Sequence, residues 1–158
     1  MTAIQTLDLS MLEGITTYIE QMLLRDVRTT FARGKGLQPF GVALGTVTDG
    51  TKLPRPQVMA VGSYGMGLRN TKRSLRSLAK NSAAQGTILV YLTTIERKGT
   101  TRDDEVVVVQ LEHKEFGDLL WTATVIDGKL GEFTDGLRLA DAPYVVGKTK
   151  MMPARWMH

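Results

Sequence analysis

Apolar residues recur every three or four positions between Met11 and Arg33, which predicts an amphipathic helix over this range. Ser10 and Glu13 have the spacing of a capping box, in which each side chain accepts a hydrogen bond from the backbone amide of the other residue. Gly34 is placed to end the helix, because glycine adopts the left-handed conformation that closes many helices. The first predicted element is therefore a long helix with one buried face.

A second helix is predicted from about Asn70 to Gln85. Asn70 is a good N-cap residue, and Gly86 is placed to stop the helix. The apolar face of this helix is narrow, so most of its surface should face solvent or a partner. That inner face comprises Leu75, Leu78, Ala79 and Ser82.

Five further runs have the apolar and β-branched content of strands. They are Phe40–Val47, Gln57–Ser63, Thr87–Glu96, Glu105–His113 and Leu119–Ile126. Turns are predicted at Thr48–Gly50, Lys98–Gly99, Phe116–Asp118 and Asp127–Gly128. Pro54 and Pro56 disfavour a central strand over Lys52–Pro56, because proline lacks the amide donor of a ladder. The valines at 106–109 indicate a central strand that is covered on both faces.

Short polar connections between neighbouring strands favour an antiparallel meander over crossover helices. The predicted fold class is α+β, a five-stranded antiparallel sheet with two helices in the order α-β-β-α-β-β-β. Some profilin-like and roadblock-like domains have the same order of elements. A chain of 158 residues suits a single domain.

The pattern weakens in a C-terminal segment, residues 131–158. Within it, Tyr144–Val146 is a candidate edge strand. The tail Met151–Met157 contains Trp156 and three methionines, so we expect it to pack on its own domain or on a second subunit. Trp121, which has apolar neighbours, is predicted to lie in the core.

Short motifs carry one resemblance to other proteins. Asp104–Val106 and Leu111–His113 open and close a predicted strand, and Pro39–Phe40 begins an earlier strand. In these features the chain resembles a set of small uncharacterised bacterial proteins, in which one strand opens with an acidic residue and ends in Leu-Glu-His. The resemblance covers about half of the chain. It supports the strand assignments and implies no function.

The composition is that of a folded globular protein, with 42% hydrophobic and 23% charged residues. Cysteine is absent, which excludes disulfides, thiolate metal sites and cysteine nucleophiles and is typical of a reducing compartment. Met1–Leu9 lacks the basic and apolar segments of a secretory signal, and no apolar run approaches the ~20 residues that span a bilayer. We expect a soluble, cytoplasmic protein.

Charge is distributed unevenly behind the net value of +4. Residues 33–102 contain twelve basic and two acidic side chains, whereas residues 103–147 contain three basic and ten acidic ones. If folding mixes the two stretches, they neutralise each other. If folding keeps them apart, the molecule has a positive face that attracts anions.

Three glycines, Gly62, Gly65 and Gly67, lie in the turn between the second strand and the second helix. Such a turn can direct several backbone amides at one point, and the helix N-terminus adds a partial positive charge. A P-loop is excluded, because Leu68 and Arg69 stand where lysine and serine or threonine are required. Basic side chains then recur at spacings of three and four along the helix. They are Arg69, Lys72, Arg73, Arg76 and Lys80.

Other candidate chemistry is sparse. Glu112 and His113 end a strand, so their side chains should point to opposite faces. The other histidine is the terminal His158, and zinc normally takes three or four convergent ligands, so we expect a hydrogen-bonded structural role for His113 and no metal site. An enzyme that uses Glu112, His113 or Asp118 as acid–base groups is the least favoured hypothesis. The acidic residues 103–105 beside an arginine are predicted to form a solvated turn with exposed ion pairs.

The leading hypothesis is a non-enzymatic module that binds an anionic ligand, a nucleotide or a nucleic acid, without a cofactor. The predicted binding residues are Gly65, Gly67, Arg69, Lys72, Arg73 and Arg76. The scarcity of aromatic residues in the basic stretch argues against a platform for stacking single-stranded bases. The alternative is a protein-interaction or homo-oligomerisation module that uses the sheet or the Met- and Trp-rich tail, for example as a dimer.

Overall fold

The computed structural model describes residues 8–34, 36–47, 55–62 and 66–146. The first helix, α1, consists of an α-helical part, a π-helical turn and a second α-helical part, which span Leu12–Tyr18, Ile19–Leu23 and Leu24–Ala32. The second helix, α2, spans Gly67–Asn81. The strands are β1 Phe40–Val47, β2 Arg55–Val61, β3 Gly86–Glu96, β4 Asp103–His113, β5 Gly117–Ile126 and β6 Lys129–Leu130.

All six strands form one antiparallel sheet in the order β2-β1-β3-β4-β5-β6. The α+β class and the antiparallel pairing are confirmed, but the sheet has six strands and five were predicted. The additional strand, β6, is only two residues long and pairs Leu130 with Val125. A strand of two residues is too short to show an alternation of apolar and polar residues in the sequence. The strand β2 begins two residues before the predicted start, so it includes Pro56, and it lies at the end of the strand order.

The strand β4 lies in the middle of the sheet and is buried on both faces. Each of the valines 106–109 is 0% exposed, as the run of apolar residues predicted. Val107 and Val109 face α1, whereas Val106 and Val108 face the opposite side. The molecule therefore has three layers with the sheet as the central one.

The helix α1 covers one face of the sheet. Ile15, Ile19 and Val27 are buried and belong to the same cluster as Trp121, which is fully buried as predicted. The other face is covered by α2 together with part of the C-terminal segment. Its apolar cluster is Ala43, Leu75, Ala79, Ala84, Leu89, Tyr91, Val106, Val108, Leu120, Ala142 and Tyr144.

The predicted capping box at the start of α1 is wrong. The N-cap position is occupied by Met11, without a side-chain hydrogen bond to the helix. The backbone amide and the hydroxyl of Ser10 bond the carboxylate of Asp8 instead. Such local bonds of serine and aspartate compete with capping. The same two bonds lower the pKa of Asp8.

The ends of α2 also differ from the prediction. The helix begins at Gly67, and Asn70 lies inside it, where its side-chain amide donates a hydrogen bond to the carbonyl of Met66 at 3.1 Å. The chain leaves the helix through Ala83, which has a φ of 50°. Gly86 opens β3, where a Cβ atom would lie only 2.7 Å from the His113 ring. This glycine therefore permits close packing between strands and does not stop the helix.

After β6 the chain runs along the outer edge of β5. Gly131, Thr134 and Leu137 donate backbone hydrogen bonds of 2.8 to 2.9 Å to carbonyls of β5. The edge strand predicted at Tyr144–Val146 is absent from this described segment. Only Tyr144 forms a bridge there, and its partner is Arg97.

The acidic residues 103–105 do not form a solvated turn, because they open β4. The carboxylate of Asp104 is only 12% exposed, and it lies 3.1 Å from Arg102 Nε and 3.8 Å from Arg97 Nη1. It also accepts a hydrogen bond of 3.2 Å from the hydroxyl of Tyr144. This arrangement ties the C-terminal segment to the sheet.

Several predictions concern residues outside the described ranges. They are the turn at Thr48–Gly50, Gly65 within the glycine-rich turn, and the tail Met151–Met157. Within the described ranges, neither helix combines the length and apolar character needed to cross a membrane.

Candidate anion-binding site

The helix α2 packs closely on β1 because small residues lie beneath it. A Cβ atom at Gly41 would lie 2.7 Å from a methyl carbon of Leu75. Leu75 and Ala79 are fully buried, and so is Thr71, whose hydroxyl donates a hydrogen bond of 2.7 Å to the carbonyl of Gly67. These residues are spaced by four, so they fix which side of the helix faces the sheet.

The opposite side of α2 carries a row of exposed cations, which we term the basic stripe. Its members are Arg69, Arg73, Arg76 and Lys80, and all four are exposed. At 1.5 Å per residue, the stripe extends ~16 Å along the helix axis. The sequence has no acidic residue between Asp49 and Glu96, so no carboxylate of α2 itself lies beside these cations.

Lys72 occupies a different position from the basic stripe. It is half-buried, and its ammonium lies 5.9 Å from the centre of the Tyr91 ring. This distance permits a cation–π contact. Burial raises the pKa of Tyr91 to about 12, and its hydroxyl donates a hydrogen bond of 3.3 Å to Gln110. The structure thus places the three predicted arginines together and Lys72 at the flank, against the sheet.

The glycine-rich turn is described at both of its ends. Gly62 and Gly67 have positive φ values of 138° and 77°. Gly62 is packed closely, because a Cβ there would lie 2.9 Å from Cβ of Phe40. At Gly67 no atom of the described residues lies within 4 Å of the Cβ position. Met66, the N-cap residue, makes no side-chain bond to the first turn of the helix.

The structure does not bring all three acid–base residues of the enzyme hypothesis to one face of the sheet. Glu112 pairs with Asp118 across the ladder, whereas His113 points to the other face and is 5% exposed. The His113 ring stacks on Phe116 with centroids 4.4 Å apart, and its Nδ1 accepts backbone hydrogen bonds. The hydrogen bonding predicted for this histidine is confirmed. In the described ranges, no three histidine, aspartate or glutamate side chains are grouped to hold a metal ion.

One groove of ≈ 410 Å³ lies on the α1 side of the molecule, away from the basic stripe, and no motif in the sequence predicted it. Arg28 and Phe31 from α1 line it together with Leu130. Arg28 donates hydrogen bonds to the Gly131 carbonyl at 2.9 Å and to Glu132 at 3.2 Å. Its guanidinium therefore already holds the C-terminal segment against α1.

Comparison of the chain with protein-family models, curated proteins and solved structures gave no match. The candidate site is defined by geometry alone. It consists of the basic stripe on the outer side of α2, with Gly67 at its N-terminal end.

Proposed function

We propose that this protein is a non-enzymatic module that binds an anionic ligand, a nucleotide or a nucleic acid, through the basic stripe. The observation that carries the proposal is the strict division of α2 into two sides. Thr71, Leu75 and Ala79 are buried against the sheet, so the core holds Arg69 and Arg73 outward. Cations with this fixed orientation present a preorganised positive surface.

The charge balance of α2 supports a bound anion. Cations near a helix N-terminus are unfavourable to the helix dipole by a few tenths of a kcal/mol each, and neighbouring cations also repel one another. Arg69 lies in the first turn, where both effects operate, and Arg73 lies one turn further, where the repulsion between neighbouring cations remains. A phosphate-bearing ligand would offset both costs.

The topology also limits neutralisation by the acidic stretch. Residues 33–102 form β1, β2, α2 and β3, and residues 103–146 form β4, β5, β6 and the segment that follows. The two stretches therefore occupy opposite halves of the sheet and meet where β3 pairs with β4.

The proposal is tested by replacing Arg69, Arg73 and Arg76 with alanine in the full chain. Binding of fluorescently labelled ATP and of a labelled DNA oligonucleotide is measured by anisotropy at ~50 mM salt, where phosphate contacts are strong. We expect the variant to lose the binding of ATP and of DNA that wild type shows. Its circular dichroism spectrum should remain unchanged. The exposed side chains make these replacements nearly neutral for stability.

A matched control removes the same charge elsewhere. Arg25, Arg33 and Lys129 are exposed and lie on or beside the α1 side of the molecule. Their triple alanine variant should bind as wild type does. Unchanged binding in the α2 variant, or an equal loss in both variants, would refute the proposal.

The alternative function, a protein-interaction or homo-oligomerisation module, stays a prediction. Its test is the solution mass of the chain without residues 151–158. A dimer that persists in this shortened chain would show that association does not require the tail, and it would favour pairing through the edge of the sheet.

A further inference from the structure

We infer that the ligand of the basic stripe is a nucleic-acid duplex, contacted along its phosphate backbone, and not a free nucleotide. This inference rests on the proposed function and specifies its ligand class. It follows from the shape of the surface, the length of the stripe and the location of the aromatic side chains.

The surface around the basic stripe does not enclose a small ligand. Nucleotides bind in concave sites that cover most of the base and ribose. Arg69, Arg73, Arg76 and Lys80 instead project from the outer side of a helix that forms the outermost layer of the molecule. The groove at Arg28 and Leu130 is on the other face of the sheet. Within the described ranges, the stripe is a convex surface that suits an extended polyanion.

The length of the basic stripe matches several phosphates. Its ~16 Å extent follows from eleven residue steps of ~1.5 Å between Arg69 and Lys80. A duplex carries one charge per ~1.7 Å of its axis, so a stretch of this length holds on the order of ten phosphates over five base pairs. The three phosphates of one nucleotide are too close together to contact both ends of the stripe.

A duplex suits this surface better than a single strand does. Proteins that hold single strands stack bases on exposed aromatic rings. The described aromatic residues of the basic stretch, Phe40 and Tyr91, pack into the two apolar clusters instead. Exposed Ser77 and Asn81 lie near the stripe and offer further hydrogen-bond donors to phosphate oxygens. Cations on a straight, rigid helix match the regular charge rows of a rigid duplex.

The test measures binding of the full chain to four probes: a labelled 16-bp duplex, its labelled single strand, ATP and inorganic phosphate. Four phosphate contacts predict a slope of about −3.6 in log K against log salt, since each contact contributes ~0.9. Affinity for the duplex should therefore fall on the order of 100-fold between ~50 and ~200 mM salt. The duplex should bind more tightly than the single strand, and ATP or phosphate should compete only weakly.

Two variants test whether the stripe itself is responsible. Arg73→Ala should weaken duplex binding and reduce the salt slope by ~0.9, because one phosphate contact is lost. Replacing Arg69, Arg73 and Arg76 together by lysine keeps the charge, so the salt slope should remain near the wild-type value. A shallow slope in wild type, or an unchanged slope in Arg73→Ala, would overturn the inference.

The outcomes separate this inference from the proposed function. If ATP or the single strand binds through the same arginines as tightly as the duplex, the inference of a duplex ligand is wrong, and the proposed function as an anion-binding module is retained. If no probe binds, or if the alanine triple variant binds every probe as wild type does, both are wrong.

Discussion

His113 is a buried titratable residue whose surroundings fix the position of its proton. Its Nδ1 accepts the backbone amides of Glu115 and Phe116 at 3.0 and 3.3 Å, so the neutral ring carries its proton on Nε2. Nε2 is buried without a hydrogen-bond partner among the described residues. Burial lowers the pKa of His113, Glu115 opposes this effect, and Lys114 adds to it. Protonation would place a second proton against two amide donors.

The stability of the protein should therefore depend on His113 in mildly acidic solution. Because its folded-state pKa lies below the unfolded value of ~6.5, the free energy of unfolding should decrease as the pH falls below ~6.5. His113→Asn keeps an acceptor near Nδ1 and removes the titration. Urea unfolding at about pH 7.5 and about pH 5.5 should show a smaller decrease in this variant than in wild type. Equal pH dependence in the two proteins would contradict the prediction.

Gly41 sets the distance between α2 and the sheet, and hence the position of the basic stripe. Gly41→Ala would place its methyl group against the branched end of Leu75, so we expect a loss of about 1–3 kcal/mol in the free energy of unfolding. Gly45→Ala is a matched control on the same strand, because its Cβ would meet the flexible end of Met59 at 3.0 Å and the Ser82 carbonyl oxygen at an ordinary contact distance of 3.8 Å. Chemical denaturation should rank the two variants in this order. A reversed ranking would show that the contact between Gly41 and Leu75 does not limit how closely α2 packs on the sheet.

At the scale of elements, β2 is an edge strand of the sheet that the described residues form, and Pro56 hinders further pairing at this edge. The backbone N–H of Gln85, the residue before β3, donates a hydrogen bond to the carbonyl of Leu44. The backbone N–H and C=O of Leu44 therefore point towards β3. Backbone direction alternates along an antiparallel strand. From the observed register, Val58, Ala60 and Pro56 therefore direct their backbone groups away from β1. Pro56 has no backbone N–H donor at this outer edge. The missing donor costs no hydrogen bond to β1, and it hinders pairing with a strand of another chain.

Removing this protection should promote association between copies of the chain. Pro56→Val restores a donor at the outer edge and adds a β-branched side chain, so we expect a higher average mass than wild type in sedimentation at equal concentration. Pro56→Lys restores the same donor but adds a charge, and it should associate less than the valine variant. If all three proteins have the same mass, the edge of β2 does not limit association.

The sequence predicted most elements because their signals are local. The predicted bounds of β1 were correct. The valines 106–109 indicated the central strand, because a strand that is buried on both faces has consecutive apolar residues. The C-terminal segment was missed because it is held by single backbone bonds to β5, such as the pair between Leu120 and Leu137, which need no side-chain pattern. Asn70 and Gly86 misled the prediction of helix ends, because each has a second role in packing or hydrogen bonding.

The candidate site was predicted to a similar degree. Spacings of three and four correctly placed Arg69, Arg73 and Arg76 on one helix face. Lys72 was grouped with them because residues three apart are neighbours on a helix surface. However, residue 72 is only one position from the buried Thr71, and the tertiary contact with Tyr91 draws its side chain towards the sheet. Spacing alone does not reveal which flank of a helix meets a neighbouring element.

At the scale of the whole molecule, the contacts of Tyr144 close the C-terminal segment over the sheet. Its hydroxyl lies 2.7 Å from Thr124 Oγ1 and 3.2 Å from the Asp104 carboxylate, while Arg97 lies over its ring at 5.8 Å. The segment before Tyr144 also supplies the backbone partners of the outer edge of β5. One side chain thus connects the ends of β4 and β5 with the last described part of the chain.

We therefore expect Tyr144→Phe to loosen this segment before the rest of the fold. The variant loses two hydrogen bonds, one to a carboxylate, which predicts a decrease of about 1–2 kcal/mol in the free energy of unfolding. Asp103→Asn removes an exposed neighbouring charge and should change stability by less than ~0.5 kcal/mol. Hydrogen exchange provides the decisive measurement: the amides of Leu120 and Leu137 should exchange faster in Tyr144→Phe, whereas those of Ile88 and Val90 in β3 should be less affected. Equal acceleration at both sets would mean that Tyr144 stabilises the whole domain and does not hold this segment in particular.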